Sequence, residues 1–254
     1  MIRLHVPQPL SAGAAILPTL DQSRYLTQVM RLKAGDALLV FNGADGEWRC
    51  VIAEALKKGV VLKAEEQIRP QTTVPDVHLL IAVVKKAALE FAVEKATELG
   101  AARIGLVTTR RTQGDRVRMD RLEAIAVESA EQTGRLDVPA IDLPVKLEAL
   151  LDGWDASRRL MFCDETGGAP AMTALASAAP STASRSPSPG GGGTGEPWAI
   201  LIGPEGGFAP EERARLRALP FTAAVSLGPR VLRADTAATA ALTLWQAAVG
   251  DWER

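Results

Sequence analysis

The chain has 254 residues, 47% of them hydrophobic and 23% charged, with a formal net charge of −1; that is length enough for one large or two modest domains with full cores, and global charge does not announce a nucleic-acid partner. Two cysteines, Cys50 and Cys163, stand far apart, which excludes a disulfide framework or zinc-like spacing and suits a reducing compartment. The opening MIRLHVPQPL lacks the basic start and apolar core of a signal peptide, and no apolar run approaches a membrane span, so the sequence predicts a soluble, cytoplasmic protein with no membrane partner.

The first seventy residues read as mostly β. Short apolar runs at 2–6, 37–41, 48–53 and 60–63 are separated by turn signals such as Ala34-Gly35-Asp36 and Asn42-Gly43, the pattern of a small barrel. Between the first two runs, Tyr25, Leu26, Val29 and Met30 have the spacing of one amphipathic helix. The proline-bounded stretch IRPQTTVP at 68–75 reads as a linker, and it divides a domain over 1–70 from one over 77–254, with 71–76 between them.

Beyond the linker the pattern changes. Residues 77–84 are continuously apolar, as a strand buried on both faces requires. A helix over 85–99 follows with Leu89, Ala92, Val93, Ala96 and Leu99 on one face and Gly100 placed to end it. A strand at 103–107 and a helix at 122–130 come next, then strands at 160–163, 198–202 and 223–227 and an Ala-rich helix at 237–249. Strand alternating with helix predicts an α/β domain with a parallel sheet. The Ser/Pro/Gly-rich stretch 176–197 has little to bury and reads as an inserted surface loop.

Two loops carry the chemistry. Leu201-Ile202-Gly203-Pro204-Glu205-Gly206-Gly207-Phe208 leaves an apolar strand and enters a helix that opens with Pro210 and two acids. Its glycines permit close backbone approach or positive φ, and in open α/β sheets ligands sit outside the strands' carboxyl ends. Taken alone it is equally a tight strand-to-helix turn. It matches neither a phosphate-binding loop ending in Gly-Lys-Ser/Thr nor GxGxxG. The second loop, Leu227-Gly228-Pro229-Arg230-Val231-Leu232-Arg233-Ala234-Asp235-Thr236-Ala237, reads structurally as a Gly-Pro turn with Asp235 or Thr236 capping the last helix. Capping does not explain arginines on both sides of Val231 and Leu232, a residue type that suits anionic or electron-rich ligands. Together the two loops predict a ligand crevice at neighbouring strand ends.

GPEGGF followed by LGPRVLRADTA resembles the closing region of the RsmE family, bacterial SPOUT enzymes that methylate N3 of a uridine in 16S rRNA. EKATELG at 94–100, ESAEQTGR at 128–135 with Val138-Pro139, the opening Ile2-Arg3-Leu4-His5-Val6 and VMRLKAGD at 29–36 extend the resemblance along nearly the whole chain. Two departures are local. Residues around Ser23, Arg24 and Tyr25 stand where the family carries a histidine pair, and Asp235 stands where it carries glutamate.

The resemblance implies a PUA-like β-barrel, RNA-binding, followed by a SPOUT α/β methyltransferase domain with a C-terminal trefoil knot, a threading that no sequence pattern would show. It implies S-adenosylmethionine (SAM) as cofactor, held by Cys163, Ile202, Gly203, Pro204, Glu205, Gly206, Gly207, Leu227, Gly228, Val231, Leu232, Arg233 and Ala234, with the strand end 163–165 as a third wall. Transfer to uracil N3 displaces a proton, which asks for a base or a charge-stabilising group; Glu205, Arg233 and Asp235 are the candidates, Asp235 with the helix cap as its competing role. The implied partners are 16S rRNA, within the assembled small subunit, and a second copy of the chain. Residues 85–121 hold nine lysines and arginines against five acids. Lys85, Arg110 and Arg111 in that stretch, Arg135, and Arg3, Arg31 and Lys33 on the barrel, are the expected RNA contacts. His5 and His78 are isolated, so no metal is expected. Two alternatives stay open: a SPOUT enzyme with another RNA target, and a non-catalytic RNA-binding member of the fold.

Overall fold

The computed structural model describes residues 1–56, 59–113, 116–178 and 196–252. The chain divides into two compact units, one of residues 1–72 with 130–138 and one of residues 73–129 with 139–254.

The first unit is a five-stranded sheet in the order β1-β3-β4-β5-β2, from β1 (Arg3–His5), β2 (Ala15–Ile16), β3 (Ala37–Phe41), β4 (Glu47–Leu56) and β5 (Gly59–Arg69). Only β1 and β3 pair in parallel. Alternate residues Leu38, Val40, Cys50, Ile52, Val60 and Leu62 are buried together, the period-two pattern of a sheet with one covered face. Register shifts at three points of the β4–β5 pair add the bulges that bend such a sheet.

The helix expected around residues 25–30 is two elements. α1 (Leu20–Arg24) starts at a capping box in which Thr19 and Gln22 exchange backbone and side-chain bonds, and a π-helical turn (Tyr25–Val29) follows. The wider turn shifts the buried face: Leu26 is buried, as is Ser23, while Tyr25, Val29 and Met30 are exposed.

The expected RNA role of Arg3 and Arg135 does not fit their surroundings. The Arg3 side chain is 10% exposed. It donates to Glu47 Oε1 (2.6 Å) and to the carbonyls of Ala130, Glu131 and Arg135, and lies 4.4 Å from the centre of the Phe41 ring. Arg135 is 7% exposed and closes on Asp137 with two bonds. Both arginines are interior ties, and the bonds from Arg3 join residues 130–138 to the first unit.

The second unit holds an eight-stranded parallel sheet. Its strands are β6 (Val77–Ala82), β7 (Arg103–Thr108), β8 (Ala140–Ile141), β9 (Val145–Lys146), β10 (Arg159–Cys163), β11 (Ala169–Pro170), β12 (Trp198–Ile202) and β13 (Thr222–Ser226), and its helices are α2 (Lys86–Glu98), α3 (Met119–Thr133), α4 (Leu147–Asp152), α5 (Ala171–Ala178), α6 (Pro210–Ala218) and α7 (Ala234–Ala248). Strand order is β11-β13-β10-β12-β6-β7-β8, with β9 beside β7. β12 is buried at every position, and β6 at every position but His78, as continuous apolar runs in the middle of a parallel sheet should be.

α2 ends in a Schellman motif. Gly100, at φ +79, donates to Thr97 and Ala101 donates to Ala96, satisfying carbonyls that the helix leaves open. α7 buries Ala238, Ala241, Leu242 and Trp245 and packs on α2, α5, β12 and β6. The expected surface loop 176–197 begins later than its composition suggested, since α5 runs to Ala178; residues 179–195 lie outside the described residues.

Glu47, 3% exposed, receives Arg3 on one oxygen and Arg69 on the other. Burial pushes its carboxyl pKa up, but the two arginines outweigh burial and hold it below the ordinary value. A depressed folded pKa means the contribution is complete above the unfolded carboxyl value and is lost as pH falls through the folded one. Glu47→Gln is expected to cost about 1–3 kcal/mol at pH 7 and to flatten the acid limb of the stability profile. Urea melts across that range check both; an unaltered acid limb would show that this pair does not set it.

Candidate functional site

The carboxyl ends of β13, β10 and β12 are adjacent, because these strands are neighbours in the sheet and all parallel. Phe162 lies opposite Leu201 and Cys163 opposite Val225. The three following loops therefore leave the sheet side by side and enclose a cleft of about 150 Å³ that opens to solvent.

The cleft has a buried apolar floor and a rim open to solvent. Val225 and Ile202, at strand ends, are 1% and 2% exposed, whereas Val231 on the last loop is 80% exposed. Cys163 contributes a neutral wall: burial pushes its thiol up to about 12. In the glycine loop, Phe208 is fully buried edge-on to Phe162 and folds back beneath Gly203, where a Cβ would come within 2.6 Å of its ring. Gly207 has φ +67, and a Cβ there would collide with the Glu165 carboxylate. Both positions thus require glycine for the loop's own packing.

Two buried carboxylates fix this geometry. Asp164 has a side chain with no exposure and accepts from Thr166 N and Oγ1 at 2.9 and 2.7 Å and from Arg217 Nε at 2.9 Å. Arg213 Nε lies 3.2 Å from its other oxygen without the alignment to donate. Arg213 also holds Glu165 at 2.5 Å, and Arg217 holds the Gly167 carbonyl. Both arginines stand on α6, so the loop after β10 is tied to the helix after the glycine loop. Glu212, 4% exposed, accepts from Ala209 N at the start of α6 and from Arg110 N after β7. Arg111 completes the frame by donating to the Gly206 carbonyl at 3.0 Å.

Of the residues expected to hold a cofactor, Cys163, Ile202, Gly203, Pro204, Glu205, Gly207, Leu227, Gly228, Val231, Leu232 and Ala234 all line the cleft. Gly206 and Arg233 do not; Gly206 turns toward Arg111. Val225, Ser226, Pro229, Arg230 and Ala237 also line it. The first two could have been found by extending the second loop back into its strand, and Ala237 lies one helical turn beyond the loop's end. Asp235 is not the helix cap: Arg233 occupies that position without a side-chain bond, and Asp235, in the first turn, accepts from Thr236 N at 2.7 Å. A carboxylate there still complements the helix dipole.

Among the expected RNA contacts in this unit, Lys85 and Arg111 are exposed, while Arg110 lies 3.2 Å from Glu211 and 3.5 Å from Glu148. Arg31 and Lys33 are exposed on the first unit. Among the described residues no cluster of His, Cys, Asp or Glu could hold a metal ion, and no helix is long and apolar enough to cross a membrane.

Burial pushes the Asp164 carboxyl up, but its bonds from Thr166 and Arg217 hold it below the usual range. Asp164→Asn leaves two guanidiniums facing a neutral amide and is expected to cost about 2–3 kcal/mol at pH 7. The loss should shrink on acidification, as protonation removes the same interaction from the parent protein. Equal urea midpoints at pH 7 would refute this account of the cleft.

An RNA methyltransferase domain family matches residues 70–246, and an RNA methyltransferase PUA domain family matches residues 17–65. The ribosomal RNA small subunit methyltransferase E of Synechocystis is 31% identical over 94% of this chain and 75% of its own. That of Rickettsia conorii is 29% identical over 94% and 93%. Among solved structures, a putative methyltransferase of Legionella pneumophila in complex with bound SAM is 27% identical, covers 98% of each chain and superposes with a TM-score of 0.80. Over the greater part of its length, then, this chain belongs to the ribosomal RNA small subunit methyltransferase E family.

Proposed function

We propose that this chain uses SAM to methylate N3 of a uridine in 16S rRNA, acting in the cytoplasm as a homodimer on the assembled small subunit. The observation that carries the reading is the cleft at the ends of β10, β12 and β13, in a chain whose SAM-bound relative matches it over 98% of its length.

The residues present fit the cofactor. Ile202, Val225, Leu227, Leu232 and Ala237 give an apolar bed for a purine, glycine backbone gives donors and acceptors at close range, and Glu205 places negative charge beside a cationic ligand. Bound SAM supplies an electrophilic methyl group on a sulfonium. The chain's own task is to orient the uracil ring and take its N3 proton, and orientation supplies much of the acceleration. Glu205 is exposed and makes no hydrogen bond among the described residues, which leaves its carboxylate available to accept that proton. Arg233 has no partner among the described residues and suits the negative charge that develops on O2 or O4 as the proton leaves. Asp235, engaged with Thr236, is the weaker candidate for the base. The barrel of residues 1–70 would contribute Arg31 and Lys33 to RNA phosphates, and the second domain Lys85 and Arg111, with 71–76 as the linker between them.

The test is nucleotide mapping of 16S rRNA from cells lacking this protein. N3-methyluridine should vanish and should return with the wild-type gene, and its persistence without the gene would overturn the assignment. In vitro, Glu205→Gln is expected to lower kcat about 100-fold, the size of a lost general base. A variant with unaltered kcat would remove Glu205 from that role.

A further inference from the structure

The loop between β13 and α7 carries two guanidiniums that have no partner among the described residues. Arg230 and Arg233 are exposed, and neither makes a hydrogen bond, ion pair or ring contact among the described residues. Other arginines of the same unit are closed on acids: Arg103 is bidentate on Asp142, Arg158 on Asp76, and Arg213 and Arg217 converge on Asp164. Between the two unpaired arginines stands Val231, 80% exposed. Arg230 and Val231 both line the cleft, at the end where Val231 stands open to solvent and away from the strand-end floor of Ile202 and Val225.

We infer that Arg230 and Val231 form the seat of the target nucleotide, with Arg230 holding an RNA phosphate beside it and Val231 packing against its sugar or base edge. This rests on the function proposed above and names the residues through which the RNA reaches the cleft. The chemistry that Arg230 offers is oxyanion binding, which two sources could satisfy: an RNA phosphate or the cofactor's carboxylate. Exposure decides between them. An exposed guanidinium on a single carboxylate gains little, because water screens the pair. On a polyanion the same contact also releases condensed counterions, so it gains affinity without burial. A chain of net charge −1 attracts RNA through local unpaired cations of this kind. Arg233, at the cap position just before α7, is left to face the uracil ring.

The experiment measures binding of the full chain to small ribosomal subunits from cells lacking it, across about 50–200 mM salt, with SAM affinity by calorimetry in parallel. Arg230→Gln should weaken subunit binding about tenfold and lower the slope of log Kd against log salt by about 0.7–1, with SAM affinity altered less than threefold. Arg230→Lys, which keeps the charge, should keep most of the slope. A large loss of SAM affinity with an unaltered slope would assign Arg230 to the cofactor and overturn the proposal, as would no change in either quantity. A wild-type protein that binds subunits with an Arg230-dependent slope yet transfers no methyl group would sink the proposed function and leave the seat standing.

Discussion

The second unit depends on one buried carboxylate. Asp164 stands at the end of β10, the strand between β13 and β12, so whatever orients its loop orients the middle of the cleft. Its partners Arg213 and Arg217 are on α6, which begins where the glycine loop ends. The consequence is mechanical: the β10 loop and the glycine loop cannot move apart without exposing a charge that folding has removed from water, and separating such a pair is costly. Glu212 does the same on the other side, joining the start of α6 to the backbone after β7. The glycines give this region its shape, and the carboxylates hold that shape.

Much of the fold was legible because periodicity reports burial directly. β12 is assigned to the residue, and every position of the α3 face, Leu122, Ile125, Ala126, Ser129 and Ala130, is buried. The reading failed where local chemistry shifts the period. The π-helical turn at Tyr25–Val29 adds residues per turn, so a spacing that describes an α-helical stripe points Tyr25, Val29 and Met30 to solvent. The bonds of Arg3 were not legible for another reason: a lone arginine has the same appearance in sequence whether it meets phosphate or a carbonyl 127 residues away.

The site divides in the same way. Its glycine loops could be found because a run of glycine at a strand end has few structural uses, and eleven of the thirteen residues named for the cofactor line one cleft. The frame around them could not. Asp164 precedes its arginine partners by some fifty residues, and Glu212 reads as an ordinary first-turn acid until its two backbone donors are seen. Phe208 is similar, since nothing in GPEGGF says that the phenylalanine folds under the first glycine to meet Phe162.

These two kinds of residue give the cleft unequal walls. The wall of β10 and the glycine loop is bound by Asp164, Glu212, Arg111 and Arg213, all with partners distant in sequence. The wall from Leu227 to Arg233 makes, among the described side chains, only the local bonds between Ser226 and Gly228. Segments with few long-range bonds open at lower free energy than the units that carry them. A ligand entering between a fixed wall and a lightly held one binds against the first and orders the second, and the ordering cost falls on the few residues of one loop. That division suits a site whose small ligand must be held in one pose while a much larger one, RNA, reaches it from outside.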